Sequence, residues 1–292
     1  MRLLRLLRYV WMHPLNARGK FSALVRIVKW QLGNHLLPGM VALPFVEDTF
    51  LFAKRGMTGA TGNWYCGLHE VNEMAFVLHL LRRDEHFADI GANIGSYTIL
   101  AAGAAGARVH SAEPIPETFR HLQHNVLLND LAERVRISRI GISDRVSVLR
   151  FSSGLDCVNH VLAPGEDLPG VEVPVTTLDE WVGGEVPTLI KIDVEGHELA
   201  VLQGGEKTLA DPRLLAVIME INGSGERYGI ADTQLVDIML GHGFSAFGYD
   251  PFGRRLVDPD SSNGNTIFVR DRAAVEARVA SARHYRLVNG TI

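Results

Sequence analysis

Acidic residues close several apolar runs in this chain, and their neighbours indicate what each could do. In FADIGANIGSYT, Asp89 follows Phe87 and Ala88, and Gly91, Asn93 and Gly95 come after it before helix-like spacing begins. An acid at a strand tip, glycines that let the backbone approach closely and a helix with free first-turn N–H groups outline a small-molecule site. In VHSAEP, Glu113 ends the next run, placed to accept both hydroxyls of a ribose, and Pro114 stops the strand there. Asp144, in GISD, follows a third run and could meet an adenine amino group or merely stabilise a turn. In KIDVEGHE, Asp193, Glu195 and His197 gather around Gly196.

The pattern at Asp89 reads D-x-G-x-N-x-G, not the G-x-G-x-x-G of dinucleotide enzymes. Asp89 would repel a pyrophosphate seated on a helix N-terminus but could hold a cation. S-adenosylmethionine, with a sulfonium and an ammonium, fits; Glu113 by itself would suit NAD equally well. Methyl transfer to a hydroxyl is an in-line displacement that needs positioning and removal of a proton. His197 has the side chain that titrates near neutrality, and a desolvated carboxylate could serve instead. Asp193, Glu195 and Glu220 could together bind magnesium through oxygens, although Asp193 and Glu195 are equally suited to cap the following helix. Trp64 and Tyr65 could stack on a sugar face, and Glu70 could help close the pocket. A dinucleotide-dependent oxidoreductase and a non-catalytic binding module are the rival functions.

Those residues need a scaffold that brings strand ends together. HFADI, ARVHSAEP, VRISRIGIS, TLIKID and LAVIMEI read as buried strands, separated by SYTILAAGAA, PETFRHLQHNVLLND and HELAVLQGGEKTLA as helices. TQLVDIMLGHG is a further helix, and SAFGY with NTIFVR a closing antiparallel pair. Such alternation predicts an α/β fold, a mostly parallel seven-stranded sheet with helices on both faces and an antiparallel edge strand. Ligands bind such sheets beyond the carboxyl ends of the strands, where strand order reverses. Upstream, residues 1–36 read as two helical segments and 40–55 as a hairpin. GMTGATGNWYCG reads as a loop, and residues 69–83 as a helix. The domains expected are 1–60, a basic helical extension with the hairpin; 61–272, the catalytic domain; and 273–292, a tail.

The 292 residues are 47% hydrophobic and 21% charged, a composition that can bury a substantial core. Residues 1–46 hold seven basic side chains and no acid; taking those seven from the 29 in the chain leaves 22 basic against 33 acidic, a net −11. A body of that sign speaks against nucleic acid as a partner. Arg2, Arg5 and Arg8 share one arc of a helix, with Leu3, Leu6, Leu7, Val10 and Trp11 opposite. This suits either peripheral membrane contact through residues 1–31 or packing on the body with a solvated basic edge. Cys66 and Cys157 form no metal or disulfide pattern, in keeping with a cytoplasmic protein, peripheral at the inner membrane surface if that first helix docks there. Neither an Asn/Asp-Pro-Pro-aromatic motif nor a Pro-Cys pair is present, which sets aside amino-methylating nucleic-acid enzymes and cytosine carbon methylases.

From Gly67 to Arg270 the chain resembles the FkbM family of S-adenosylmethionine-dependent methyltransferases. FADIGANIGSYT, AEPIPETFRHLQHNVLLND, LIKIDVEGHELAVLQGG, VIMEI and NTIFVR carry the likeness, KIDVEGHE most specifically. The resemblance implies a Rossmann-like methyltransferase fold and O-methylation of a sugar, glycoconjugate or related small molecule. On it, Asp89, Gly91, Asn93, Gly95, Glu113 and Asp144 are expected at the cofactor, and Asp193, Glu195 and His197 at the acceptor.

Overall fold

The computed structural model describes residues 2–36, 39–154, 158–259 and 264–292; Cys157 and the side chains of Arg2 and Leu3 lie outside what is described. In chain order, α1 (Arg2–Met12), a 3-10 turn (Pro14–Asn16) and α2 (Lys20–Leu36) precede a hairpin of β1 (Val41–Pro44) and β2 (Phe50–Ala53). Next come α3 (Thr58–Cys66), α4 (Val71–Leu80), β3 (His86–Ile90) and α5 (Ser96–Ile99), which loosens into a π-helical turn over Leu100–Ala105. β4 (Arg108–Ala112), α6 (Pro116–Leu128), β5 (Val135–Ser138), β6 (Gly141–Ser143), β7 (Ser147–Ser152), β8 (Gly170–Thr177) and α7 (Leu178–Val182) follow. The chain continues through β9 (Leu189–Ile192), α8 (Glu198–Gln203), α9 (Glu206–Ala210), β10 (Ala216–Glu220) and α10 (Asp232–Gly241). It closes with β11 (Ser245–Asp250), β12 (Arg255–Val257), β13 (Asn265–Val269), α11 (Arg272–Ala280), β14 (Arg286–Leu287) and β15 (Gly290–Thr291).

The central sheet has eight strands in the order β12-β11-β13-β10-β9-β3-β4-β5. β5, β4, β3, β9 and β10 are mutually parallel. β13 runs antiparallel between β10 and β11, and β12 adds an antiparallel outer edge. The sequence pattern predicts seven strands; the eighth is β12, three residues too short to give a period-2 signal. β9 is buried along its whole length, as expected of a parallel strand covered on both faces. Strand order reverses between β3 and β9, so the carboxyl ends of these two open the crevice in which such sheets bind ligands.

Four further differences from the sequence pattern have physical causes. GMTGATGNWYCG contains α3, not a loop; burial of Ala60, Gly62, Asn63, Tyr65 and Cys66 overrides the poor helix propensity of its glycines. VRISRIGIS is two strands. β5 stays in the central sheet, while β6 leaves it for a second, three-stranded sheet ordered β6-β8-β7. HELAVLQGGEKTLA breaks into α8 and α9, because Gly204 presses on the backbone of β6 (a Cβ there would lie 2.0 Å from the Ser143 carbonyl oxygen). The tail adds a two-strand hairpin, β14–β15, after its helix.

The extension shares the body's core. Val10, Ala23, Ile27 and Trp30 lie in one continuous apolar cluster with Phe76, Phe87 and Leu100. A buried polar knot ties these segments together. Arg26 Nη2 donates to Asn16 Oδ1 (2.9 Å) and to the Tyr65 carbonyl (2.8 Å). Asn289 Nδ2 donates to Asn16 Oδ1 (2.9 Å) and to the Cys66 carbonyl (2.8 Å). From α1, Val10 enters this core and Leu6 and Leu7 pack against it.

Candidate active site

Three strand ends are knitted where the crevice opens. The N–H groups of Gly91 and Ala92 both donate to the Ala112 carbonyl (3.0 Å each), and Asp193 N–H donates to the Ile90 carbonyl (3.0 Å). Gly91 has φ +77°, and a Cβ there would sit 1.8 Å from the Asp193 carbonyl oxygen. At Gly95 (φ +90°) it would meet the Leu122 side chain at 2.6 Å. Both glycines therefore serve close contacts within the chain, in addition to whatever access Gly91 gives a ligand. Asn93 takes φ +50° and donates its N–H to Glu113 Oε2 (2.9 Å); Ile115 N–H donates to Glu113 Oε1 (2.9 Å).

Two cavities meet at this junction and share Gly91, Asn93, Asp193 and Glu195. The first is an open cleft walled by Glu113, Ile115, Ile142, Phe151, Asn159 and His197, among others. Phe151 comes from β7, so the small sheet supplies the far wall. The second is the roomier of the two and also opens to solvent. It is lined by five carboxylates (Glu70, Asp89, Asp193, Glu195 and Glu220) and by Lys191, with Asn63 of α3 and Tyr97 of α5.

Charge in the second cavity is unevenly met. Lys191 Nζ donates to Asp193 Oδ2 (2.6 Å) and lies 4.7 Å above the Tyr97 ring; Tyr97 Oη donates to Glu70 Oε2 (2.6 Å). Burial alone would lower the Lys191 pKa, but Asp193, Glu70 and Asp89 together raise it. Asp89 is 1% exposed; Thr98 Oγ1 donates to its Oδ2 (2.6 Å), while its Oδ1 has no hydrogen-bond partner. Burial raises the Asp89 pKa. Burial, then Asp193 and Glu198, push Glu195 up to about 7. Glu195 holds φ +55°, a strained conformation for a residue with a Cβ. Burial, then Asp193 and Glu195, push Glu220 well above the usual carboxylate range. Its Oε2 also lacks a partner. Asp193, Glu195 and Glu220 offer oxygens within 4.8 Å of one another, but one oxygen of Asp193 is already engaged by Lys191.

The structure brings Asp89, Gly91, Asn93, Glu113, Asp193 and Glu195 to one crevice. Gly95 lines neither cavity. His197 borders only the first, with Nε2 3.0 Å from Ser143 Oγ, and burial lowers its pKa. Asp144 is exposed, accepts from Ser143 Oγ (3.1 Å) and is not among the residues lining either cavity. Lys191, Tyr97 and Asn63 were not legible as site residues. Lys191 had one available signal, a lone lysine two residues before an acid inside an apolar strand.

Comparison with known proteins gives the family of the chain. The family model described as the Methyltransferase FkbM domain matches residues 89–246, more than half of the chain. Among curated proteins, the chain is similar to the hexuronic acid methyltransferase AglP of Haloferax volcanii, 31% identical over 157 residues. That match covers 52% of this chain and 62% of the relative, so the chain spans under two thirds of the relative's length. Among solved structures, it is similar to precorrin-6Y C5,15-methyltransferase of Geobacter metallireducens (TM-score 0.39, 16% identity, 61% of this chain and 73% of that one). It is also similar to a TehB-like S-adenosylmethionine-dependent methyltransferase of Corynebacterium glutamicum (TM-score 0.38, 13% identity, 68% and 87% covered). With Asp89 at the head of the matched segment and KIDVEGHE within it, the chain belongs to the FkbM methyltransferase domain family.

Proposed function

We propose that this protein transfers a methyl group from S-adenosylmethionine to a hydroxyl of a sugar or glycoconjugate. The observation that carries it is a cavity holding five carboxylates against one lysine, opening beside a second with a buried glutamate. Excess negative charge around the unpartnered Asp89 Oδ1 suits a ligand bearing two positive groups and would repel a pyrophosphate. The family supports the chemistry, and the relative named for hexuronic acid supports a sugar acceptor.

Bound here, S-adenosylmethionine would supply a methyl made electrophilic by its sulfonium. Glu113, held by two backbone N–H groups, would accept the ribose hydroxyls; Ile115, Ile142 and Phe151 would flank the adenine. Asp89 Oδ1 would accept from the ammonium. Glu195, at the junction of both cavities and poised near neutrality, would take the proton from the acceptor hydroxyl. Lys191 would fix Asp193 so that its free oxygen orients that hydroxyl. His197 faces the first cavity, which gives the base role to Glu195.

Transfer of labelled methyl to neutral sugars and uronic acids tests this. Base-stable label on a hydroxyl, lost in Glu195→Gln, is expected; base-labile label, meaning a methyl ester, or label on an amine would overturn it. The 4.8 Å grouping of Asp193, Glu195 and Glu220 favours a second reading, a magnesium ion that assists the same step. Turnover lost on chelation and restored by magnesium would support it, and unchanged turnover would remove it.

A further inference from the structure

Helix α2 shows an apolar face on each side. Ala23, Ile27 and Trp30 are buried in the core, yet Phe21, Val25, Val28, Leu32 and Leu36 are 78%, 50%, 54%, 59% and 75% exposed. Positions 21, 25, 28, 32 and 36 are spaced four, three, four and four residues apart, which aligns them in one stripe along the whole helix. Trp11 of α1 stacks edge-on against Phe21 at 5.9 Å, and Leu4 and Met12 of α1 are 72% and 68% exposed. Soluble monomers rarely leave so continuous an apolar surface uncovered. Arg5 and Arg8 of α1, Arg18 in the turn between the helices and Lys29 of α2 are exposed, and the first acid of the chain is Glu47.

We propose that the α1–α2 surface docks on an anionic lipid membrane, with the α2 stripe entering the interface and the basic residues meeting the headgroups. Charge selects this occupant. A second copy packed face to face would set basic helix against basic helix, a like-charge contact. An anionic surface attracts this segment and repels the rest of the chain, whose net charge is −11, so the same asymmetry orients the molecule. α1 turns Val10, with half-buried Leu6 and Leu7, toward the core, so the α2 stripe carries most of the proposed contact. Among the described residues no helix is long and apolar enough to cross a membrane, which leaves the helix lying in the interface plane. α2 is bonded to α3 through Arg26 and Tyr65, and α3 contributes Thr58, Gly59 and Asn63 to the wall of the second cavity. Docking would therefore hold that cavity beside the lipid surface.

Deleting the extension would open the core, so point variants of the full chain are the test. Wild type is expected to co-sediment with phosphatidylcholine vesicles containing phosphatidylglycerol, and to release at high salt. Val28→Glu with Leu32→Glu should weaken that binding at least about tenfold without changing the thermal midpoint or affinity for S-adenosylhomocysteine. Arg5→Glu with Arg8→Glu should remove the preference for the anionic lipid. Wild type remaining in the supernatant with the phosphatidylglycerol-containing vesicles, or binding equally to pure phosphatidylcholine vesicles, would overturn the proposal. So would unchanged binding by the Val28/Leu32 variant, or a wild-type dimer that this variant dissociates.

Discussion

At Gly91 the backbone turns with φ +77° against the Asp193 carbonyl, with room for no Cβ. Gly91→Ala should cost about 3 kcal/mol of stability or more, read by denaturant unfolding, whereas Gly95→Ala faces only a movable leucine end and should cost less. Glu113 sets a pH dependence. Burial pushes its pKa up to about 7 despite the two N–H donors, and ribose recognition needs the carboxylate. Affinity for S-adenosylhomocysteine should therefore fall about tenfold per unit below pH 7, and Glu113→Gln should flatten that slope. The sign for stability is opposite. A folded value raised from 4.5 favours the protonated folded chain, so its contribution is complete below 4.5 and is lost as pH rises through about 7. Ligand-free protein should melt lower at pH 8 than at pH 6, less so in Glu113→Gln. Glu195→Gln should lower turnover by about 10²- to 10⁴-fold while leaving product binding intact; His197→Ala retaining activity would agree. Asp89, Glu113, Asp193 and Glu195 were legible because each lies at or just beyond the end of a strand, and strand ends converge in this fold. Asp144 follows a strand too, but β6 leaves the central sheet and carries it to the surface.

Among the elements, α3 and the β7–β8 pair mark where local pattern failed for different reasons. α3 is a helix only because its buried side is packed, with Gly62 set against the His69 ring, and no local propensity announces that. β8 did carry a signal: Val171, Val173 and Val175 alternate with Glu172, Pro174 and Thr176, a period of two. These two elements place Asn63 and Phe151 in the cavity walls, so the crevice was legible and its far walls were not. The joint between the extension and the body rests on buried Arg26, 8% exposed. Arg26→Ala removes one of two donors from both Asn16 Oδ1 and the Tyr65 carbonyl and should cost about 2 kcal/mol. Denaturant unfolding of the full chain checks this, and a loss below about 1 kcal/mol would mean that water replaces the guanidinium.

Across the whole molecule, one mostly parallel sheet with its order reversed between β3 and β9 gathers acids from the ends of three strands and from the start of α4. Their shared cavity holds five carboxyl groups against Lys191 alone, and a cofactor bearing a sulfonium and an ammonium would complete it. The basic extension lies on the outside of the same core and gives the molecule its charge asymmetry. Calorimetric titration with S-adenosylhomocysteine, run beside NAD on wild type, Asp89→Ala and Glu113→Ala, tests the central claim most directly. Micromolar binding of the thioether by wild type, lost in both variants with no NAD heat, is the expected result. NAD binding in its place, or thioether binding indifferent to both substitutions, would contradict the account.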